Sequence, residues 1–145
     1  DLVEKLIRPA LAAGRVVLCD RFGDSTLAYQ GGGRGVDHAL LAAWNREATG
    51  NLVPDLTLLF DLDPEMGLAR RAGVSGSSNR LDRESLEFHR RVRARYLELA
   101  AAEPGRWLVL DATAVATALE DAVWSAVDAR RRPPRGPQGA ASAVL

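Results

Sequence analysis

The sequence predicts an α/β fold, a parallel sheet with helices on both faces. Three short, unbroken apolar runs at residues 15–20 (RVVLCD), 56–62 (LTLLFDL) and 107–111 (WLVLD) have the hydrophobicity of strands buried on both sides, and each has an aspartate at or near its C-terminal edge. Between and after these runs lie stretches of helical periodicity, and strands alternating with helices make right-handed βαβ units. The 145 residues, 47% hydrophobic and 26% charged, fit one globular domain.

Residues 1–13 carry Leu2, Val3, Leu6, Ile7 and Ala10 at helical spacing, and Gly14 follows as a C-terminal stop. The chain opens inside a helix with neither an initiator Met nor a cap before Leu2, so a preceding stretch is expected. Helical patterns follow at 37–48, 64–72, 83–102 and 116–130. Asp63, before Pro64 and Glu65, reads as a helix cap and not as a catalyst: its carboxylate can take free N–H groups, and Pro is tolerated at the first helical position. Arg83, Glu87 and Arg91 have the i,i+4 spacing of surface pairs, so the long helix after Glu84 reads as a solvated face. From Arg131 onward RRPPRGPQGAASAVL has no period and is rich in Pro, Gly and Ala. Residues 1–130 are therefore expected to form the domain and 131–145 a flexible tail.

Several classes of function are disfavoured at once. No run approaches the roughly eighteen apolar residues that span a bilayer, and no signal-peptide pattern opens the chain, so a cytoplasmic protein with no membrane partner is expected. Lys+Arg and Asp+Glu balance at 19 each, which gives no reason to expect nucleic acid. The one cysteine, Cys19, has no Cys or His at ligand spacing and reads as a packed thiol. No metal ligands are expected. The charge is nevertheless uneven: every basic residue except Lys5 is arginine, and Arg70, Arg71, Arg80, Arg83, Arg90, Arg91, Arg93 and Arg95 crowd one segment. Guanidinium forks suit bidentate phosphate recognition.

Ligands of open parallel sheets bind at the carboxyl ends of strands, which points to the segment after Asp20. Asp20 and Arg21 at a strand terminus can position a phosphate, while Thr26, Tyr29 and Gln30 lie about one helical turn apart and offer hydrogen bonds and a stacking ring. Taken singly, Tyr29 also reads as core, Gln30 as surface and Arg21 as a structural ion pair. Gly31, Gly32, Gly33 and Gly35 are expected to form a flexible turn between two helices, close to a ligand. They are not a P-loop, which needs G-x-x-x-x-G-K-S/T; the only lysine is Lys5, in a helix. Residues 73–79, small and polar and flanked by Arg70, Arg71, Arg80 and Arg83, suit a lid that closes over phosphates, or an ordinary surface loop.

Taken in order, Asp20-Arg21-Phe22, then Ser25-Thr26-Leu27-Ala28-Tyr29-Gln30-Gly31-Gly32-Gly33-Arg34-Gly35, Pro54-Asp55-Leu56-Thr57-Leu58, Leu62-Asp63-Pro64-Glu65, Asn79-Arg80-Leu81-Asp82, Arg93-Ala94-Arg95-Tyr96-Leu97 and Leu110-Asp111-Ala112-Thr113 resemble the bacterial thymidylate kinases from about Leu2 to about Asp128. The resemblance implies a P-loop kinase type parallel sheet with five strands, of which the first two and the P-loop are expected upstream of Asp1. It implies transfer of the γ-phosphoryl group of ATP to dTMP with Mg²⁺, and a homodimer. By position, Arg21 would hold the dTMP phosphate, Thr26 and Gln30 would face the nucleoside, and Tyr29 would pack on the sugar. Asp20 would orient Arg21 or the metal-bound phosphates, Arg71 and Arg80 would be the lid cations, and Asp111, Ala112 and Thr113 would lead into the loop beside adenine. The chain alone is expected to be inactive, and the family's first strand should leave a gap, or a repaired pairing, between strands 15–20 and 56–62. Asn79 and Asp82 depart from the family's usual Asp-Arg-x-Glu at the lid. Another nucleoside monophosphate kinase and an Arg-rich nucleic-acid-binding module are the alternative readings.

Overall fold

A computed structural model describes residues 2–75 and 80–131, apart from the side chains of 72–75 and 80–84. The central part of the expected lid, the side chain of Arg80 and the tail from residue 132 onward lie outside the described residues. The elements run from a π-helical turn, Val3–Ile7, into α1 (Arg8–Ala12), then α2 (Gly23–Thr26), a π-helical run Leu27–Gly33, α3 (His38–Thr49), β1 (Thr57–Asp61), α4 (Pro64–Ser75), α5 (Arg80–Ala102), β2 (Trp107–Asp111) and α6 (Ala116–Arg130).

The two strands pair in parallel, with Thr57 opposite Trp107 and Asp61 opposite Asp111, so both aspartates stand at the same carboxyl edge. The α4–α5 hairpin provides the crossover between them. The pattern is α/β as expected, with helices packed against a parallel ladder.

Residues 15–20 correct the sequence reading. They are extended but form no ladder, and Val16 and Leu18 are 81% and 93% exposed. A strand needs a neighbour to take its N–H and C=O groups, and β1 pairs only with β2 among the described residues, so no repaired pairing joins 15–20 to β1.

The glycines give a second correction. Gly31, Gly32 and Gly33 do not form a turn; they lie inside the run Leu27–Gly33, and only Gly35, at φ +71°, has the left-handed backbone of a turn. A Cβ on Gly32 would stand 2.6 Å from the Arg95 Cβ and 3.0 Å from the Arg91 carbonyl, so this absence of side chain lets the run lie directly on α5. The close approach is to another helix. Val92 on that face of α5 is 4% exposed, and Ala28 on the run is fully buried.

Other elements follow their local chemistry. Asp37 caps α3 by accepting from Leu40 N–H at 2.8 Å, and Gly50 at φ +56° ends the helix. Asp63 accepts from Glu65 N–H at 2.9 Å, as a cap should. Arg8 joins the first helix to the end of α3, bonding Glu4 at 2.8 Å and the Gly50 carbonyl at 2.6 Å.

Candidate functional site

Arg21 is at φ +63°, a left-handed backbone rare for a residue with a side chain. The turn it makes is followed directly by α2, and the chain folds back so that the Arg21 guanidinium donates to the Tyr29 hydroxyl at 3.1 Å and stands 4.9 Å from the ring centroid. Two predicted site residues, eight apart in sequence, are therefore in contact. Asp20 precedes them, exposed, and Thr26 and Gln30 lie on the same helical stretch, exposed and half-buried respectively.

Tyr29 is fixed from behind. Phe88 and Tyr96 of α5 meet its ring edge-on at 6.0 and 6.3 Å, and the Tyr96 hydroxyl donates to Ser25 Oγ at 2.8 Å. Burial pushes the Tyr96 phenol above its ordinary pKa, with the Ser25 hydrogen bond acting against that shift, so it remains a neutral donor. Phe88 and Tyr96 are supports that periodicity alone did not assign to the site. The signal was available in Tyr96, which belongs to the Arg93-Ala94-Arg95-Tyr96-Leu97 motif.

Tyr96 also lines a cleft of about 330 Å³ beside the carboxyl end of β1, with Asp61, Asp63, Arg71, His89 and Arg93. Arg93 Nε and one terminal nitrogen donate to the two Asp61 oxygens at 2.7 and 2.8 Å, and the other reaches Asp63 at 3.4 Å. That fork holds the Asp61 carboxyl below the usual carboxylate range. Arg71, a predicted lid cation, stands exposed at this cleft. Glu87, Arg90 and Arg91 are exposed, as a solvated face requires, but their partners differ from the i,i+4 pairs expected. Glu87 pairs with Arg90 at 2.5 Å, Arg90 also reaches Glu65, and Arg91 donates to the Gly33 carbonyl at 3.2 Å.

Beyond β2, Asp111 accepts from the Thr113 N–H at 2.9 Å and from its hydroxyl at 2.7 Å, which holds the Asp111 carboxyl low. Asp111, Ala112 and Thr113 thus form one compact turn. The Ala112 N–H donates to the Asp61 carbonyl at 2.9 Å, and Arg70 of α4 donates to the Ala112 carbonyl at 3.4 Å. The helix that leads to the expected lid therefore touches the turn after β2.

A family model described as thymidylate kinase matches residues 1–123. The thymidylate kinase of Solidesulfovibrio magneticus is 53% identical over 131 residues, covering 86% of this chain and 63% of that protein. The one from Deinococcus radiodurans is 54% identical over 130 residues, covering 90% and 63%. A crystal structure of thymidylate kinase from Ehrlichia chaffeensis superposes with a TM-score of 0.63 at 30% identity, over 86% of this chain and 55% of that one. The chain spans less than two thirds of the length of the curated relatives it matches. With the parallel ladder, the Arg21–Tyr29 pair and the Arg-lined cleft set beside these likenesses, the chain belongs to the thymidylate kinase family.

Proposed function

We propose that the protein carrying this chain transfers the γ-phosphoryl group of ATP to dTMP, giving dTDP. The observation that carries this reading is the Arg21–Tyr29 pair, a cation held over an aromatic ring by a strained turn at the end of the 15–20 segment. In this role Arg21 holds the dTMP phosphate, Tyr29 packs on the sugar, and Thr26 and Gln30 supply hydrogen bonds to the nucleoside. Asp20 orients Arg21 or the metal-bound phosphates.

Phosphoryl transfer through a loose transition state asks mainly for positioning and neutralisation of charge. Arg71 and Arg80 serve as the lid cations toward the phosphates, and Asp111, Ala112 and Thr113 line the adenine side. Mg²⁺ would supply charge neutralisation at the nucleotide phosphates, and as a cation that takes few protein ligands it would need only one or two carboxylates from the chain. Asp20 fits that modest demand, being exposed next to Arg21. A homodimer in the cytoplasm, with residues 1–130 as the kinase unit, completes the reading.

The 145 residues contain no G-x-x-x-x-G-K-S/T sequence to cradle ATP, so the chain alone is inactive under this proposal. The experiment compares dTMP with dUMP, dCMP and AMP as acceptors, in the protein extended to the length of its relatives. Preferred turnover of dTMP supports the assignment, and preference for AMP overturns it. ATP turnover at ordinary kinase rates by the isolated chain would overturn the claim of inactivity.

A further inference from the structure

The most completely satisfied polar side chain of the site region is one the reading above does not use. Arg106 immediately precedes β2, and its side chain is 12% exposed. One terminal nitrogen donates to Asp24 Oδ2 at 2.7 Å and to the Thr57 hydroxyl at 2.8 Å. The other donates to Asp24 Oδ1 and to Glu103, each at 3.0 Å, and Nε completes the fork on Glu103 at 3.0 Å. All the N–H donors of the guanidinium are thereby used. The Arg106 carbonyl accepts from Thr57 N–H at 2.8 Å, and the guanidinium carbon lies 5.1 Å from the Trp107 ring centroid.

Asp24, 14% exposed, sits in α2 three residues after Arg21 and next to Ser25, which Tyr96 holds. Arg106 and Tyr96 therefore grip adjacent residues of one short helix, and Trp107 meets Tyr96 edge-on at 6.3 Å. A buried ion pair is weak evidence for stability, because desolvation offsets most of its attraction; its better-attested use is to fix one geometry. A bidentate fork sets both distance and angle.

We propose that Arg106, acting through Asp24, is a positioning residue for the phosphate acceptor. It fixes α2 against the starts of both strands, and so sets where Arg21 and Tyr29 stand. The inference rests on the reading that these two residues bind dTMP. The adenine-side turn lies at the far end of β2 and is held by its own ladder, so ATP should not sense the change.

The test uses the protein at the length of its relatives, with Arg106→Met, Arg106→Lys and Asp24→Asn. Arg106→Met should raise KM for dTMP by about tenfold or more and leave KM for ATP unchanged, the factor that weakening one hydrogen bond to a charged group corresponds to. Arg106→Lys, which keeps one charged contact to Asp24, should recover part of the loss. An equal rise in both KM values, an unchanged KM for dTMP, or no recovery with lysine overturns the proposal. If Arg106→Met does not fold, the decision passes to Asp24→Asn, which keeps the side-chain shape; failure of that variant to fold shows a purely architectural role and also overturns it. An unsubstituted protein that does not use dTMP refutes the functional reading itself, and this proposal with it. An active one with unselective variants refutes the positioning role alone.

Discussion

Adding one methyl group at Gly32 tests the packing of the Leu27–Gly33 run on α5 more sharply than any charge change. The new Cβ would lie 2.6 Å from the Arg95 Cβ and 3.0 Å from the Arg91 carbonyl oxygen. Neither atom can rotate away, because both are fixed to the backbone of α5. Carbon atoms settle at roughly 3.5–4.0 Å, so the two helices must part by about 1 Å, and a gap of that size forfeits about half of each dispersion contact between them. Overpacking of this kind costs about 1–3 kcal/mol. Replacing glycine within a helix returns about 0.5–1 kcal/mol of backbone entropy, leaving a net destabilisation of up to about 2.5 kcal/mol. Gly31→Ala is the internal control: its Cβ would meet the Leu41 and His38 side chains at 3.4–3.6 Å, close to ordinary contact, so that variant should be neutral or slightly stabilised. Urea unfolding of the two variants against the parent measures the difference, with a change in midpoint at constant slope. A Gly32→Ala protein as stable as Gly31→Ala would refute the claim that the run lies directly on α5.

Three further outcomes are expected. Arg93 holds the Asp61 carboxyl below its unfolded value of about 3.9. The pair's contribution, about 1 kcal/mol given the exposure of Arg93, is therefore fully present above that pH and lost as pH falls through the folded pKa. Denaturation curves from pH 2 to 6 should show a shallower acid-side loss in Asp61→Asn than in the parent, and identical slopes would exclude the linkage. Ser25→Ala leaves the Tyr96 hydroxyl without its acceptor, which should cost about 1–3 kcal/mol in thermal unfolding and move the phenol titration further up; an unchanged ultraviolet titration would refute the bond. Thr113→Val removes the hydroxyl donor but keeps the backbone one, so the Asp111 carboxyl should rise toward its ordinary value in a carbon-detected NMR titration.

Local chemistry was legible where it decided the outcome. WLVLD predicts β2 to the residue, the helical pattern at 37–48 becomes α3 within one residue at each end, and residues 116–130 form the last helix as read. The misreadings share a cause. RVVLCD has every local mark of a strand, yet a strand exists only through a neighbour, and sequence pattern does not say whether one pairs. Three glycines in a row favour a turn by propensity, but contact with α5, some sixty residues away, keeps them helical. In the site, the helical spacing of Thr26, Tyr29 and Gln30 was legible, whereas the contact of Arg21 with Tyr29 depends on the left-handed turn at Arg21, outside the helix. The forks of Arg93 on Asp61 and of Arg106 on Asp24 span 32 and 82 residues, and no spacing rule reaches that far. Glu87, Arg90 and Arg91 of α5 are exposed as read, but the contacts of Arg91 with Gly33 and of Arg93 with Asp61 are tertiary, and no i,i+4 spacing shows them.

The left-handed backbone of Arg21 has an evolutionary consequence. Glycine would sit at that turn without strain, so a lineage drifting toward tolerance of heat or denaturant would meet an easy substitution there. The same change would delete the cation that rests on Tyr29. Under the proposed role, the unfavourable dihedral is the cost of placing a guanidinium where glycine would fit without strain, so gain in durability and loss of phosphate binding would come from one substitution.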